Sequence, residues 1–386
     1  SRRVGPQRLR PRRGRRLVKR RAVLDELEPY VPGKRITGGI KLSSNENPLG
    51  PAPLALEAIA RVAGDVHRYP DGGTTDLRAA LGRRWNVRPE MIVVGNGSDE
   101  ILVMIAGSVI EPGTNVVTGA HTFSQYTFAA KIFGGEVRTT PMPDGRFDLD
   151  AVAEAIDDDT RIVFLCSPNN PTGAMIARGE LEGFLTRVPD DVLVVIDEAY
   201  GEYVESDDYP DTVALVARHA NLVRLRTFSK IYGLAALRVG YGIAQPQLIE
   251  AFASLRQPFN VGTIAQAAAT AALGDDGFVE RTLELNRSEK ARLERYLDRI
   301  GLPHYPSQAN FVCVDLSGAR LNGANGAEPG AQARAVVAAL RDRRITIRPL
   351  ASFGMPDWVR ISIGTNTEMD ALYEALEAIL SPAPAG

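Results

Sequence analysis

The chain has little of what would mark a metal centre, a disulfide scaffold or a membrane protein. Its 386 residues include two cysteines, Cys166 and Cys313, too few for a disulfide framework. Both are expected to be reduced and buried, which fits a cytoplasmic enzyme. The four histidines, His67, His121, His219 and His304, are scattered without metal-ligand spacing, so no metal site is expected. No apolar run approaches the roughly 18–20 residues needed to span a bilayer, and no transmembrane segment is expected. With 45 Lys and Arg against 47 Asp and Glu, the net charge of -2 gives no global pull toward nucleic acid or membrane. What remains is an ordinary globular composition, long enough for a large domain and a smaller one.

One segment departs from this balance. Residues 1–21 carry eleven Lys or Arg and no acid, and the first acid is Asp25. Such a tail could serve as a nucleic-acid arm, a transit peptide or a contact for an anionic surface. It lacks aromatics to stack on bases and is poor in serine, so residues 1–23 are read as a disordered extension.

The middle of the chain alternates short apolar runs with helical patterns, the signature of a mostly parallel α/β sheet. The runs are 91–95, 115–118, 161–166, 192–196, 222–226 and 239–243, with helix patterns at 99–110 and 123–133. They are apolar on both faces, as strands covered by helices on both sides should be. Beyond residue 243 come helical stretches at 261–273 and 278–300. Strand-like runs at 310–314, 345–348 and 359–363 follow, with helices at 331–341 and 367–380. The expected organisation is an arm over 24–60 packed with a small α+β domain over 261–386, and a large cofactor-binding domain over 61–260.

Chemistry-capable residues sit just after the apolar runs, where an open α/β sheet binds its ligand. Lys230 follows one such run and the turn Thr227-Phe228-Ser229, with Arg238 eight positions on. Taken alone it would be a surface lysine; desolvated at a strand end it can attack an aldehyde. Asp197 ends another run, where a carboxylate is costly to bury unless it meets a cation or caps a helix. A Schiff-base lysine, an acid for a pyridinium nitrogen and an arginine for a phosphate are what pyridoxal phosphate asks of a protein. Tyr200 and Asn170, the latter in the turn-forming stretch SPNNPTG, can reach the cofactor's phenolate oxygen. GNGSDE, residues 95–100, opens a helix and can cradle a phosphate with Ser98, Asp99, Ser229 and Arg238. Phe123 is a candidate to stack on the pyridine ring, or an ordinary core residue.

The ordered set SNENP (44–48), RYPDG (68–72), GNGSDE, SPNNPTG, DEAY (197–200), TFSK…GLAALRVGYG (227–242) and VRISIGT (359–365) resembles the pyridoxal-phosphate-dependent aspartate-aminotransferase superfamily. LEPYVPGK (27–34), RQPFNVGTIAQ (256–266) and RPLASFGMPDWVRISIGT (348–365) draw the resemblance toward its histidinol-phosphate aminotransferase family. It spans residues 24–380.

The resemblance implies that Lys230 carries the cofactor, Asp197 holds its ring nitrogen, and Tyr200 and Asn170 hold its phenolate. It adds Thr227 to the phosphate ligands. Tyr69 would reach the phosphate of a neighbouring subunit's cofactor, which implies a homodimer with shared active sites. Substrate would meet Tyr30, Asn45, Arg348 and Arg360.

Period two in 359–363 puts Arg360 and Ser362 on one face, and Arg348 likewise lies opposite the isoleucines of its own run. Two arginines facing one pocket suit a dianionic phosphate better than a single carboxylate. The expected reaction exchanges the amino group of histidinol phosphate with 2-oxoglutarate. The alternatives are an aromatic amino-acid aminotransferase, a decarboxylase on the same fold, and a ligand sensor built on the cofactor domain. The last would need a DNA-binding domain that the basic tail cannot supply.

Overall fold

The computed structural model describes residues 18–25, 27, 36–319 and 328–380. Eleven strands among them form two sheets. In chain order they are β1 (Ile40–Leu42), β2 (Ile92–Asn96), β3 (Asn115–Gly119), β4 (Glu136–Thr140), β5 (Thr160–Cys166), β6 (Leu193–Asp197), β7 (Leu222–Thr227), β8 (Val239–Ile243), β9 (Phe311–Asp315), β10 (Ile345–Pro349) and β11 (Trp358–Ser362).

The large sheet has seven strands in the order β2-β8-β7-β6-β5-β3-β4. All neighbours are parallel except β8, which runs antiparallel to both β2 and β7. β-Branched and aromatic residues fill the central strands, and side-chain parity sorts them into two cores. Val94, Leu165, Ile196 and Leu222 face a layer formed by the helices Pro53–Val62, Thr75–Trp85 and Thr263–Ala272. Val93, Phe164, Val195 and Val223 face the helices Gly97–Val109, Gln125–Ile132 and Pro246–Ala253. Each fully buried Val, Leu or Ile contributes roughly 1.5–3 kcal/mol, so the central strands are the least dispensable part of the fold.

The small sheet, β1-β10-β11-β9, is mixed: β1 is parallel to β10, and the other pairs are antiparallel. One face buries Val312, Val314, Ile345, Ile347, Val359 and Ile361 against the helices Asp276–Ile300, Ala331–Asp342 and Asn366–Ile379.

Packing divides the chain differently from the expected arm and the boundary at residue 260. β1 joins the small sheet, but Ala52 and Ala55 lie in the core of the large one. The helix Thr263–Ala272 packs there too, because its alanine face (Ala265, Ala268, Ala269, Ala272) admits the helix Pro53–Val62 closely. Most of the basic segment over residues 1–23 lies outside the described residues; Ala22–Asp25 form a short 3-10 turn.

Cys166 and Cys313 are free and buried. Among the described residues there is no cluster that could hold a metal ion, and no helix is long and apolar enough to cross a membrane.

Candidate active site

Strands β5, β6 and β7 end side by side at Cys166, Asp197 and Thr227, and a cavity of about 500 Å³ opens there. The other face of the small sheet, bearing Arg348 and Arg360, forms the opposite wall. The volume suits a cofactor with a small substrate.

Asp197 shares its face of β6 with Leu193 and Val195, and its side chain is buried. Its Oδ2 accepts from the Tyr126 hydroxyl at 2.9 Å and its Oδ1 from the Ala199 amide at 3.1 Å. Burial pushes its pKa up to about 6, although the Tyr126 hydrogen bond works the other way. Among the described residues it has no ion-pair partner. Tyr126, absent from the sequence expectations, is fully buried and stacked on Phe164 with ring centroids 5.0 Å apart. Phe123 lines the cavity and meets the Tyr126 ring edge-on at 5.7 Å.

Lys230 is partly shielded, and its Nζ donates to the Ser44 carbonyl at 3.3 Å. Burial and then the Arg360 charge lower its pKa to about 8, so its amine gives up a proton more readily than an exposed lysine does. Arg238 donates to Asp99 Oδ2 at 3.0 Å and to Ser229 Oγ at 3.3 Å, in front of the N-terminus of the helix Gly97–Val109. This cup depends on two glycines. Gly97 has a φ of +77°, and a Cβ there would collide with the Arg238 guanidinium. A Cβ on Gly240 would collide with the Ser98 amide. Ser98 and Thr227 are buried and line the same cavity.

A chain of hydrogen bonds joins the two sheets across the site. Ser362 donates to Asn45 Oδ1 at 2.8 Å, and Asn45 Nδ2 donates to the Tyr200 oxygen at 2.9 Å. Tyr200 therefore accepts from Asn45 and keeps its own O–H proton to donate. Burial holds its pKa up at about 12. Arg360 donates to Asn170 Oδ1 and, at 3.0 Å, to the Ser43 carbonyl. Arg348 lies directly opposite Arg360 in the β10–β11 ladder.

Behind the site is a second group that sequence reasoning missed. Glu198 is fully buried; its Oε2 accepts from Arg224 Nε at 2.7 Å and Arg226 Nε at 2.9 Å, and its Oε1 from Thr212 at 2.8 Å. Arg224 stacks on Trp85, 3.8 Å from the ring centroid. Arginines at i and i+2 of an apolar strand were the available signal, since period two puts both on one buried face.

The sequence profile described as "Aminotransferase class I and II" matches residues 37–379. The chain belongs to this family. A histidinol-phosphate aminotransferase of Geobacillus thermodenitrificans is 45% identical, the alignment covering 92% of this chain and 96% of that one. One from Moorella thermoacetica is 42% identical over 94% and 93% of the two chains. The crystal structure of a histidinol-phosphate aminotransferase from Sinorhizobium meliloti in complex with pyridoxal-5'-phosphate superposes with a TM-score of 0.83 at 32% identity, covering 92% and 95%. The expected fold, a mostly parallel α/β sheet with a smaller α+β body, is that of these aminotransferases.

The residues of this aminotransferase fit such a cofactor on their own geometry. Asp197 is a buried carboxylate facing the cavity with no ion-pair partner among the described residues, and a protonated pyridine nitrogen would relieve it. The Arg238–Ser229–Ser98 cup at a helix N-terminus is built for a phosphate. Of the expected residues, the cavity brings together Asn45, Ser98, Asp99, Phe123, Asn170, Asp197, Tyr200, Thr227, Ser229, Lys230, Arg238, Arg348 and Arg360. Tyr69 does not line it; its side chain is 83% exposed and stacked on Phe259 at 4.7 Å. Tyr30 lies outside the described residues.

Proposed function

We propose that the enzyme is a homodimeric, pyridoxal-phosphate-dependent histidinol-phosphate aminotransferase serving histidine biosynthesis, with 2-oxoglutarate as the amino acceptor. The observation that carries the substrate is the Arg348–Arg360 pair on the cavity wall, two cations where a monocarboxylate needs one. The 45% identical relative supports the same reading.

When bound, the cofactor supplies the electron sink that draws on the substrate's C–H bond. Asp197 keeps the ring nitrogen protonated, and Tyr126 keeps the Asp197 carboxylate ionised and aimed. Lys230 Nζ would hold the cofactor, and its amine would take up and return the substrate's proton. Its lowered basicity suits both tasks. Tyr200 donates its proton toward the phenolate oxygen, joined there by the Asn170 amide, while Phe123 covers the ring. Ser98, Asp99, Thr227, Ser229 and Arg238 surround the phosphate. Asn45 orients Tyr200, and Arg360 and Arg348 receive the anionic substrate.

Tyr69 is exposed and stacked on Phe259; in the homodimer it would reach the cofactor phosphate of the second copy. Two free buried cysteines accord with a cytoplasmic setting.

Turnover of histidinol phosphate and phenylalanine, measured side by side, tests the reading. Histidinol phosphate is expected to show much the higher specificity constant, and the reverse order would leave an aromatic aminotransferase. Lys230→Ala should remain folded yet lose turnover and the absorbance of covalently held cofactor. Normal turnover in that variant would end the cofactor assignment.

A further inference from the structure

We propose that Arg341, at the end of the helix Ala331–Asp342, is a specificity-determining residue that receives the remote anionic end of the substrate together with Arg348. This inference rests on the histidinol-phosphate reading and deepens it by adding Arg341 to the Arg348–Arg360 pair that meets the phosphate.

Val337 and Arg341 are four residues apart, so they share a helix face, and both line the cavity. Thr346 and Arg348 share the β10 face that lines it as well. Lysine and arginine supply five of the cavity-lining groups, Lys230, Arg238, Arg341, Arg348 and Arg360, against the two carboxylates Asp99 and Asp197. Both carboxylates belong to the cofactor end: Asp99 is paired with Arg238 and Asp197 hydrogen-bonds Tyr126. Arg360 is already held by Asn170 and Ser43. Among the described residues, Arg341 and Arg348 have no carboxylate partner. An arginine in a last helical turn complements the helix dipole, which accounts for a cation there but not for its side chain reaching the cavity wall.

Phe353 lines the same cavity and adds apolar surface to the charge of the two guanidiniums. A flat ring carrying a phosphate a few bonds away fits that pairing. A substrate ending in an apolar side chain would leave both cations unused.

The test compares Arg341→Gln, Arg341→Lys and Arg343→Gln holoenzymes with wild type. Arg343 is the control: it is exposed near the same helix end, carries the same charge and does not line the cavity. Arg341→Gln should raise the Michaelis constant for histidinol phosphate about three- to tenfold with little change in kcat, the effect shrinking as salt rises. Phenylalanine kinetics should stay unchanged, Arg341→Lys should recover much of the loss, and Arg343→Gln should resemble wild type.

Equilibrium binding of inorganic phosphate to the holoenzymes, whose cofactor cup is filled, gives a second readout and should weaken in Arg341→Gln alone. An unchanged Michaelis constant in Arg341→Gln, where Arg348→Gln raises it, would overturn the inference while leaving the substrate reading intact. An equal effect in Arg343→Gln would overturn it too, by showing a general field rather than a contact. If wild type instead prefers phenylalanine, the substrate reading falls, and the phosphate titration still decides whether Arg341 holds an anion.

Discussion

Arg348 and Arg360 stand directly opposite each other on adjacent antiparallel strands, their side chains on the face that looks into the cavity. Like charges in that register repel, by roughly 0.2–1 kcal/mol for an exposed pair, and by more where water is excluded. Arg360 is buried and secured by Asn170 and the Ser43 carbonyl, whereas Arg348 is only partly buried. The pair is thus a standing demand for an anion, and the two members should not respond alike to substitution.

Arg348→Ala should raise the Michaelis constant for histidinol phosphate about ten- to a hundredfold, the worth of a charge-assisted hydrogen bond of roughly 1.5–3 kcal/mol. Phenylalanine should be affected much less, because Arg360 can hold a single carboxylate. Steady-state kinetics with the two substrates check this. Equal losses would remove the phosphate role from Arg348.

Asp197→Asn separates stability from catalysis. An unfolded aspartate ionises near 3.8 and the folded Asp197 near 6. The folded carboxyl holds its proton more tightly, so the fold loses stability as pH rises through that interval, and the loss is complete above about 6. The difference corresponds to about 3 kcal/mol at most. At pH 8 the cofactor-free Asp197→Asn protein should therefore melt above cofactor-free wild type, and the gap should close toward pH 4. Cofactor should stabilise wild type more than the variant, and turnover of the variant should fall by orders of magnitude. Thermal melts with and without cofactor at the two pH values check each statement.

Tyr126→Phe removes the hydroxyl that lowers the Asp197 pKa while leaving the ring stacked on Phe164. In the cofactor-free protein the Asp197 pKa should then rise above about 6, so stability should fall further between pH 4 and pH 8 than it does in wild type. Thermal melts of the two cofactor-free proteins at those pH values check this. An equal pH dependence in both would mean that Tyr126 acts only through packing.

The residues that announced themselves in the sequence did so because each follows a buried strand. Asp197, Asn170 and Lys230 are polar residues at the ends of apolar runs, and a parallel sheet gathers those ends by construction. Strand β8 was legible as a strand, but its direction was not, because burial on both faces erases any mark of orientation. β4 went unread since its sequence, EVRTT, is that of a half-exposed edge strand without an apolar run. Tyr126 joins Asp197 across 71 residues of chain, a meeting that only the stacking of a helix on the sheet creates. Glu198 was visible merely as the neighbour of Asp197. Its partners lie on β7, where the i, i+2 spacing puts both arginines on one buried face, but nothing local tells that Glu198 meets them there.

That cluster makes the sharpest prediction about stability. Glu198 accepts from Arg224 and Arg226, and all three side chains are buried. Replacing it with Gln leaves two buried guanidiniums sharing one fewer negative charge, and breaking a buried pair in this way costs about 3–5 kcal/mol. The exposed pair of Arg287 with Glu205 offers the contrast, its side chains being 55% and 40% exposed at a separation of 2.5 Å. Glu205→Gln should cost little, because solvent screens that pair and ordering two long side chains offsets most of the gain. Thermal melts of the two variants should therefore differ widely despite the shorter contact at the surface. Adding Arg224→Met to Glu198→Gln should recover part of the loss, since it removes an unmatched buried charge and keeps an apolar stem beside Trp85. If Glu198→Gln melts like Glu205→Gln, the cluster contributes no more than a surface pair, and the β6–β7 junction that presents Asp197 is held by its apolar neighbours alone.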